Sequence, residues 1–349
     1  MPFQNQFPLH FPRRAKQENQ NISLVAANVK QNKTRIAFYT MVAGQLNLKY
    51  QNEYSTPEYG LFSEIFNQFL KDSQQEQPER IVVAVPGPVI DNKCSTDNLP
   101  FDLDVNIIRE KTGVREVFLI NDLEATAYGL TGVEEEDFSI IHEVKTKNKG
   151  NVAILAPGRG LGEAGLFWDG ACLRPFATEG GHSEFAPRAD HELDLYQFLK
   201  AIYGIVSWES VLSNEGMFNL FRFIRDVRRQ EVPMALTEKI NNTPRRHEVI
   251  IEAGLSGENR ACKLAIETFV ELVAREASNL VLKLKATGGL IITGSLANQL
   301  EHLLRQPQFY ETFTISDKME NVLNTTPIYL LKNKNTTLLG AAYYGAYAQ

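Results

Sequence analysis

The segment Leu119-Ile120-Asn121-Asp122-Leu123-Glu124-Ala125-Thr126-Ala127-Tyr128-Gly129-Leu130 joins an apolar run to an alanine-containing segment. Val117-Phe118-Leu119-Ile120 predicts a buried strand. Asn121-Asp122 then caps the alanine-containing segment as a helix. A carboxylate at a strand-to-helix junction sits at the rim of a sheet, where α/β proteins bind ligands. Asp122 therefore has two readings from this stretch alone, a helix cap or a chemically active group.

Working outward, 349 residues exceed one ordinary core, so two domains are expected. Hydrophobic content of 43% and charged content of 22% are those of a globular enzyme or binding protein. A net charge of −6 argues against a nucleic-acid partner, which calls for a basic face. Cys94, Cys172 and Cys262 are odd in number and far apart. They offer neither metal spacing nor a disulfide framework, which points to a reducing, cytoplasmic setting. No apolar run reaches the ~20 residues that span a bilayer, so no membrane is expected. Residues 1–21 are polar with scattered Phe and Pro and lack a hydrophobic signal core. They read as an arm ordered by packing on the body.

Strands are predicted at Ile22–Ala27, Arg35–Tyr39 and around Leu46–Tyr50, with residues 28–34 as a polar tip. Tyr59–Leu70 has helical spacing, Arg80–Val85 reads as a buried parallel strand, and Val105–Thr112 as a helix. The first unit closes near Gly132, and the acidic run Glu134–Asp137 reads as a solvated helix start or loop. A second strand set opens at Asn151–Ala156, turns through Gly158–Gly162 and returns at Ala164–Phe167. Asp169-Gly170 then has a hairpin signature. Two halves that each open on a hairpin suggest a duplicated architecture. From Glu192 the chain is largely helical, with a long amphipathic helix at Asn259–Lys285 that Gly288-Gly289 is expected to stop. Strands at Leu290–Thr293 and Tyr329–Leu331 and a helix at Thr337–Ala348 complete it.

Gly158-x-Gly160-x-Gly162 lies between two strands rather than between a strand and a helix, which argues against a dinucleotide fold. Its backbone amides suit a phosphate, although a tight hairpin explains the glycines as well. Gly294 at a strand-to-helix junction is a second phosphate candidate. Glu179-Gly180-Gly181-His182 combines paired glycines, which let a backbone approach a ligand, with two side chains able to hydrogen-bond vicinal hydroxyls. The competing reading is an ordinary solvated loop. A zinc role for His182 is disfavoured, since neither a ligand at i+4 nor a nearby cysteine accompanies it.

Together these motifs resemble the bacterial glucokinase family of the actin-like sugar kinases. The likeness runs from about residue 22 to 349. It rests on Asn98-Leu99-Pro100-Phe101, Ile120-Asn121-Asp122, Gly158–Gly162, Glu179–His182 with Phe185-Ala186-Pro187, and Ser207–Ser213. Ala286–Gly289 with Gly294, and Leu339-Gly340-Ala341-Ala342, complete it. The resemblance implies a two-domain α/β actin-like (ribonuclease H-like) sugar kinase fold with an interdomain cleft. The expected division is an arm at 1–21, a small domain at 22–131 plus 336–349, and a large domain at 132–335. It implies ATP- and Mg²⁺-dependent phosphorylation of glucose or a related hexose at its 6-hydroxyl, and a homodimer. Asp122 matches the catalytic base, and Asn98, Asn121, Glu179, His182 and Glu209 match the sugar contacts. No residue is expected to hold a metal directly.

The chain departs from the family on the phosphate side. Where the first phosphate hairpin normally reads Asp-x-Gly-Gly-Thr, this chain has Asn28-Val29-Lys30-Gln31-Asn32, then Lys33-Thr34. Arg159 replaces a threonine in the second hairpin. The nucleotide side is therefore assigned to Lys30, Lys33, Thr34, Gly158, Arg159, Gly160, Gly162 and Gly294. Either basic side chains replace the missing glycine amides, or the chain is a glucokinase-like sugar-binding protein with weak or no kinase activity. A glucose-sensing regulator is a third class, without a DNA-binding element to support it.

Overall fold

The computed structural model describes residues 7–12, 21–97, 99–145 and 148–347. In chain order the elements are β1 (Ile22–Val29), β2 (Lys33–Val42), β3 (Gln45–Ser55), α1 (Phe62–Ser73), β4 (Arg80–Val85), β5 (Lys93–Cys94) and β6 (Leu103–Asp104). Then come α2 (Val105–Thr112), β7 (Glu116–Asn121), α3 (Asp122–Gly129), β8 (Phe138–His142), β9 (Val152–Pro157), β10 (Leu161–Trp168) and β11 (Leu173–Ala177). The helical stretch is α4 (Asp190–Tyr203), α5 (Asn214–Asp226), α6 (Met234–Asn241), α7 (Arg246–Leu255) and α8 (Arg260–Leu284). After it come β12 (Gly289–Ile292), α9 (Ser295–Gln299), α10 (Glu301–Leu304), α11 (Pro307–Thr314), α12 (Glu320–Asn324), β13 (Ile328–Leu331) and α13 (Thr336–Tyr347).

The chain forms two compact units. Unit 1 takes the residues up to Asp137, Ala164–Ala177 and the chain from Asn333 on; unit 2 takes Phe138–Glu163 and Thr178–Lys332. This differs from the division expected from sequence, which put residues 132–137, 164–177 and 333–335 with the large domain. Within unit 1 the hairpin at 164–177 packs on α3, and the arm bonds to its backbone. The His10 amide donates to Leu173 O at 2.9 Å, and the Leu173 amide donates to Pro8 O at 2.7 Å. Phe7, Leu9 and Phe11 of the arm are buried.

In unit 1 the strand order is β3-β2-β1-β4-β7. β4 runs parallel to β1 and β7 parallel to β4, with Asn28 beside Ala84 and Val85 beside Asn121. All of β4 is buried, as its unbroken apolar run predicts. This register brings Asn28 and the β7–α3 junction to the same, carboxyl-terminal edge of the parallel strands. β1 reaches Val29 and β2 begins at Lys33, so the expected polar tip shrinks to Lys30–Asn32. Behind the sheet α3 and α13 cross with their backbones nearly touching. A Cβ at Gly340 would lie 1.7 Å from Ala125 O, so only glycine fits that crossing.

In unit 2 β12 lies between β9 and β13, parallel to both, and β8 pairs antiparallel to β13. Leu161–Glu163, the start of β10, flank β9 on its other side. The order β10-β9-β12-β13 thus repeats the β2-β1-β4-β7 order of unit 1. Strand β8, just after a short 3-10 turn at Glu135–Asp137, is an element the sequence reading lacked. α8 runs through the core with Phe269, Leu272, Val273 and Leu280 buried. Asn259 caps its start, Oδ1 accepting from the Cys262 amide at 3.1 Å. It ends one residue before Lys285, which takes the left-handed conformation at φ 48°. The terminator is therefore Lys285, and the expected stop at Gly288-Gly289 falls beyond the helix. Among the described residues no helix is long and apolar enough to cross a membrane.

Candidate active site

Unit 1 supplies Lys30, Lys33, Thr34, Asn121 and Asp122. The cap of α3 is Asn121, whose Oδ1 accepts from the Leu123 amide at 2.9 Å and the Glu124 amide at 3.2 Å. Its Nδ2 donates to Gly87 O at 3.2 Å. Asn121 thus spends its acceptor on the helix, which leaves Asp122 at the first helical position with its side chain released from capping. Asp122 is enclosed by protein yet keeps an accessible face. Burial pushes its carboxyl above the usual carboxylate range, while the Lys30 ammonium and the Leu123 amide pull it back.

The other unit 1 candidates are spoken for. Thr34 is buried, and its hydroxyl shares a 2.9 Å hydrogen bond with that of Thr56. Lys33 Nζ pairs with Glu53 Oε1 at 2.6 Å, and Arg35 Nε binds the same carboxylate at 3.0 Å. The reason is strand register: Thr34 faces Tyr54 and Arg35 faces Glu53 across β2 and β3, so these residues belong to the ladder, not the tip. Of the basic residues near the tip, Lys30 is the one whose charge reaches Asp122. Asn28 is 6% exposed, and its Oδ1 has no hydrogen-bond partner among the described residues. Asn98 lies outside the described residues.

Unit 2 supplies the remaining candidates in two groups. In the first, the Gly158 amide closes the tip on Gly160 O at 2.9 Å, and the Gly158 carbonyl accepts from the Asn214 amide at 2.7 Å. Gly158 lies against Ser295, the neighbour of Gly294; a Cβ on Gly158 would be 3.4 Å from Ser295 Oγ. Arg159 is the exposed apex of this tip. Gly162 is not at the apex, because β10 already begins at Leu161. α9 has only five residues, so the helix behind Gly294 carries a small dipole.

In the second group, Glu209 Oε2 accepts from the Leu161 amide at 2.9 Å and its own amide donates to Gly181 O at 2.8 Å. Residues 183–185 and 206–208 bond to each other through Phe185 N to Val206 O at 2.9 Å and Trp208 N to Ser183 O at 3.0 Å. Phe185 and Trp208 pack edge to face beneath them, with ring centres 4.9 Å apart. Glu179 and His182 are exposed on the 3-10 turn between these supports. The paired glycines serve protein packing more than a ligand's approach. A Cβ would come within 2.0 Å of Glu163 Oε2 at Gly180, and within 2.0 Å of Leu161 O at Gly181.

Sequence reasoning missed two buried acidic residues, Glu163 on β10, which lies against Gly180 of this loop, and Glu276 on α8. The signal available was period: Glu163 shares a strand face with Leu161. His191, Glu192 and Glu271 also cluster with donor atoms within 4.8 Å of one another. Glu192 there accepts from the Ala189 amide at 3.0 Å and pairs with Arg275, so a guanidinium already supplies the positive charge.

A glucokinase family model matches residues 25–348. The chain belongs to the glucokinase family. Glucokinase from Nostoc punctiforme is 30% identical over 316 residues, covering 86% of this chain and 92% of that protein. Among solved structures, glucokinase from an Antarctic psychrotroph superposes with a TM-score of 0.77 at 22% identity, over 93% of this chain and 98% of that one. A ROK family glucokinase from Streptomyces griseus, solved with glucose and AMPPNP, gives a TM-score of 0.60 at 14% identity, over 92% and 98% of the two chains. The fold is that of the actin-like sugar kinases, as the motifs implied.

Proposed function

We propose that this chain phosphorylates glucose at its 6-hydroxyl with ATP, in a cytoplasmic setting, with Asp122 as the general base. The observation that carries this reading is the division of labour at the β7–α3 junction. Asn121 takes the cap, so the Asp122 carboxylate is left for chemistry with a proton affinity raised by burial. A raised carboxylate is a better acceptor for the hydroxyl proton of the attacking sugar, provided that it stays ionised near neutral pH. Lys30 supplies that second condition by favouring the charged form.

Within unit 2, Glu179, His182 and Glu209 would hold sugar hydroxyls and the Gly158–Gly160 tip with Ser295 would meet phosphate; within unit 1, Asn121 Nδ2 would add a donor beside the base and Lys30 is the basic group that acts on Asp122. The donor set fits a hydrated Mg²⁺. Asn28 Oδ1 is a buried acceptor without a protein donor among the described residues, and a metal-bound water would satisfy it. When bound, Mg²⁺ would neutralise charge on the phosphoryl oxygens. Asn28 and Asp122 would orient its water shell.

The engaged Lys33 and Thr34, and the absence of glycine from the 30–32 tip, favour a second reading, a glucose-binding relative with little turnover. The two separate in one experiment, calorimetric titration of glucose and then a coupled assay with ATP and Mg²⁺, on wild type and Asp122→Asn. The proposal expects wild-type turnover, and a fall of at least ~10³-fold in kcat with glucose binding retained in Asp122→Asn. Turnover retained in Asp122→Asn removes the base assignment. Glucose binding without wild-type turnover selects the second reading.

A further inference from the structure

Arg275 of α8 takes no part in the chemistry above, yet it is only 7% exposed in the interior of unit 2. A buried guanidinium is costly unless its charge is paired and its N–H groups are used. Its Nη1 pairs with Oε2 of Glu192 on α4, which is 1% exposed. Its Nη2 donates to Ala186 O at 2.9 Å, across 89 positions of sequence. Its central carbon lies 5.8 Å from the ring centre of Trp208, within reach of a cation–π contact. A planar fork can meet a carboxylate, a carbonyl and an indole at once; a lysine ammonium on a flexible stem cannot.

These three partners frame the candidate sugar loop. Ala186 and its neighbours carry the chain away from Glu179–His182, and Trp208 directly precedes Glu209. Glu192 accepts from the amides of Arg188 and Ala189, the latter at 3.0 Å. The ion pair thus grips residues 186–189 twice, the carbonyl through Arg275 and the amides through Glu192. The Trp208 amide donates to Ser183 O at 3.0 Å, and the Glu209 amide to Gly181 O at 2.8 Å. One guanidinium therefore bears on both segments, 183–189 and 206–209, that support the loop. None of its three partners is a residue assigned to phosphate or to proton transfer.

We infer that Arg275 is a positioning residue, which with Glu192 holds segments 183–189 and 206–209 together and so sets where His182 and Glu209 stand. Its consequence for glucose rests on the function proposed above, but its hold on the two segments does not. Because its partners belong to the sugar side, its loss falls on sugar affinity rather than on the chemical step.

The test is hydrogen exchange at the Phe185, Trp208 and Glu209 amides, with the β12 amides as an internal reference and glucose KM and kcat measured in parallel. Arg275→Met alone strands the Glu192 charge in the interior and is expected to fold poorly. Two other variants avoid this. Arg275→Lys keeps the charge and loses the fork; Arg275→Met with Glu192→Gln leaves neither charge and keeps an acceptor for the 188 and 189 amides. Both are expected to exchange the three amides about tenfold faster than wild type, with β12 unchanged. Glucose KM should rise about tenfold in both, with kcat within about twofold of wild type. Wild-type exchange at the three amides in either variant, or an acceleration that β12 shares, overturns the inference, as does a fall in kcat at unchanged KM. Faster exchange at the three amides in a protein that does not act on glucose leaves the inference standing and removes the functional reading instead.

Discussion

The side-chain oxygens of Thr126 and Thr337 lie 2.8 Å apart, which joins α3 to α13 across 211 residues of sequence. The Thr126 hydroxyl also donates to the Asp122 carbonyl at 2.8 Å, so Thr337 is the donor in the pair. The bond fixes the first turn of the helix that carries Asp122, alongside the close crossing at Gly340. Thr337→Val should cost about 1 kcal/mol of stability, read by urea unfolding. It should lower kcat more than it changes glucose KM, because Asp122 rather than the sugar loop moves. A variant with reduced stability and unchanged kcat would separate this contact from the site.

Lys30 acts on Asp122 through charge, and its removal has a definite sign. Burial raises the Asp122 carboxyl and Lys30 opposes it. Lys30→Met should therefore raise the Asp122 pKa further, and the acid limb of the kcat/KM profile should move to higher pH. A limb that stays in place would assign it to another group.

Glu124, two residues on, is held up to about 7 by burial. The native chain keeps its proton to higher pH than the unfolded chain, whose carboxyl loses it near 4.5. Stability from this group is therefore full below the unfolded value and is lost as pH rises through about 7. Glu124→Gln should gain Tm relative to wild type between pH 4.5 and pH 8. Equal Tm differences at both ends of that range would exclude Glu124 as a source of the slope.

Phe11 of the arm packs against Tyr128 of α3 at 5.6 Å between ring centres and against Tyr347 of α13 at 5.5 Å. It precedes the residues that match the family model, yet it seals the helix pair behind Asp122. Phe11→Ala should cost roughly 3 kcal/mol, within the range for a buried aromatic truncation, and lower Tm accordingly. An unchanged Tm would show that the arm contributes no net stability.

The local elements were largely legible in the sequence because period and caps are local properties. Val105–Thr112, the β7–α3 junction and the opening hairpins arise from apolar runs and turn residues. The misplacements have equally local causes. Lys285 ended α8 in a left-handed conformation more typical of glycine, and strand pairing drew residues 28–29 and 33–34 out of the expected tip.

Asp122 as the group of interest, the glycine tips and the Glu179–His182 loop are determined by residue type and order, which the chain carries on its face. What each side chain is free to do is a matter of partners brought from far away. Thr56 and Glu53 engage Thr34 and Lys33, and Glu209 reaches the Leu161 amide across 48 positions of sequence. Hydrogen bonds, burial and ion pairs act over a few ångströms, and only the folded chain sets which distant residues come within that range.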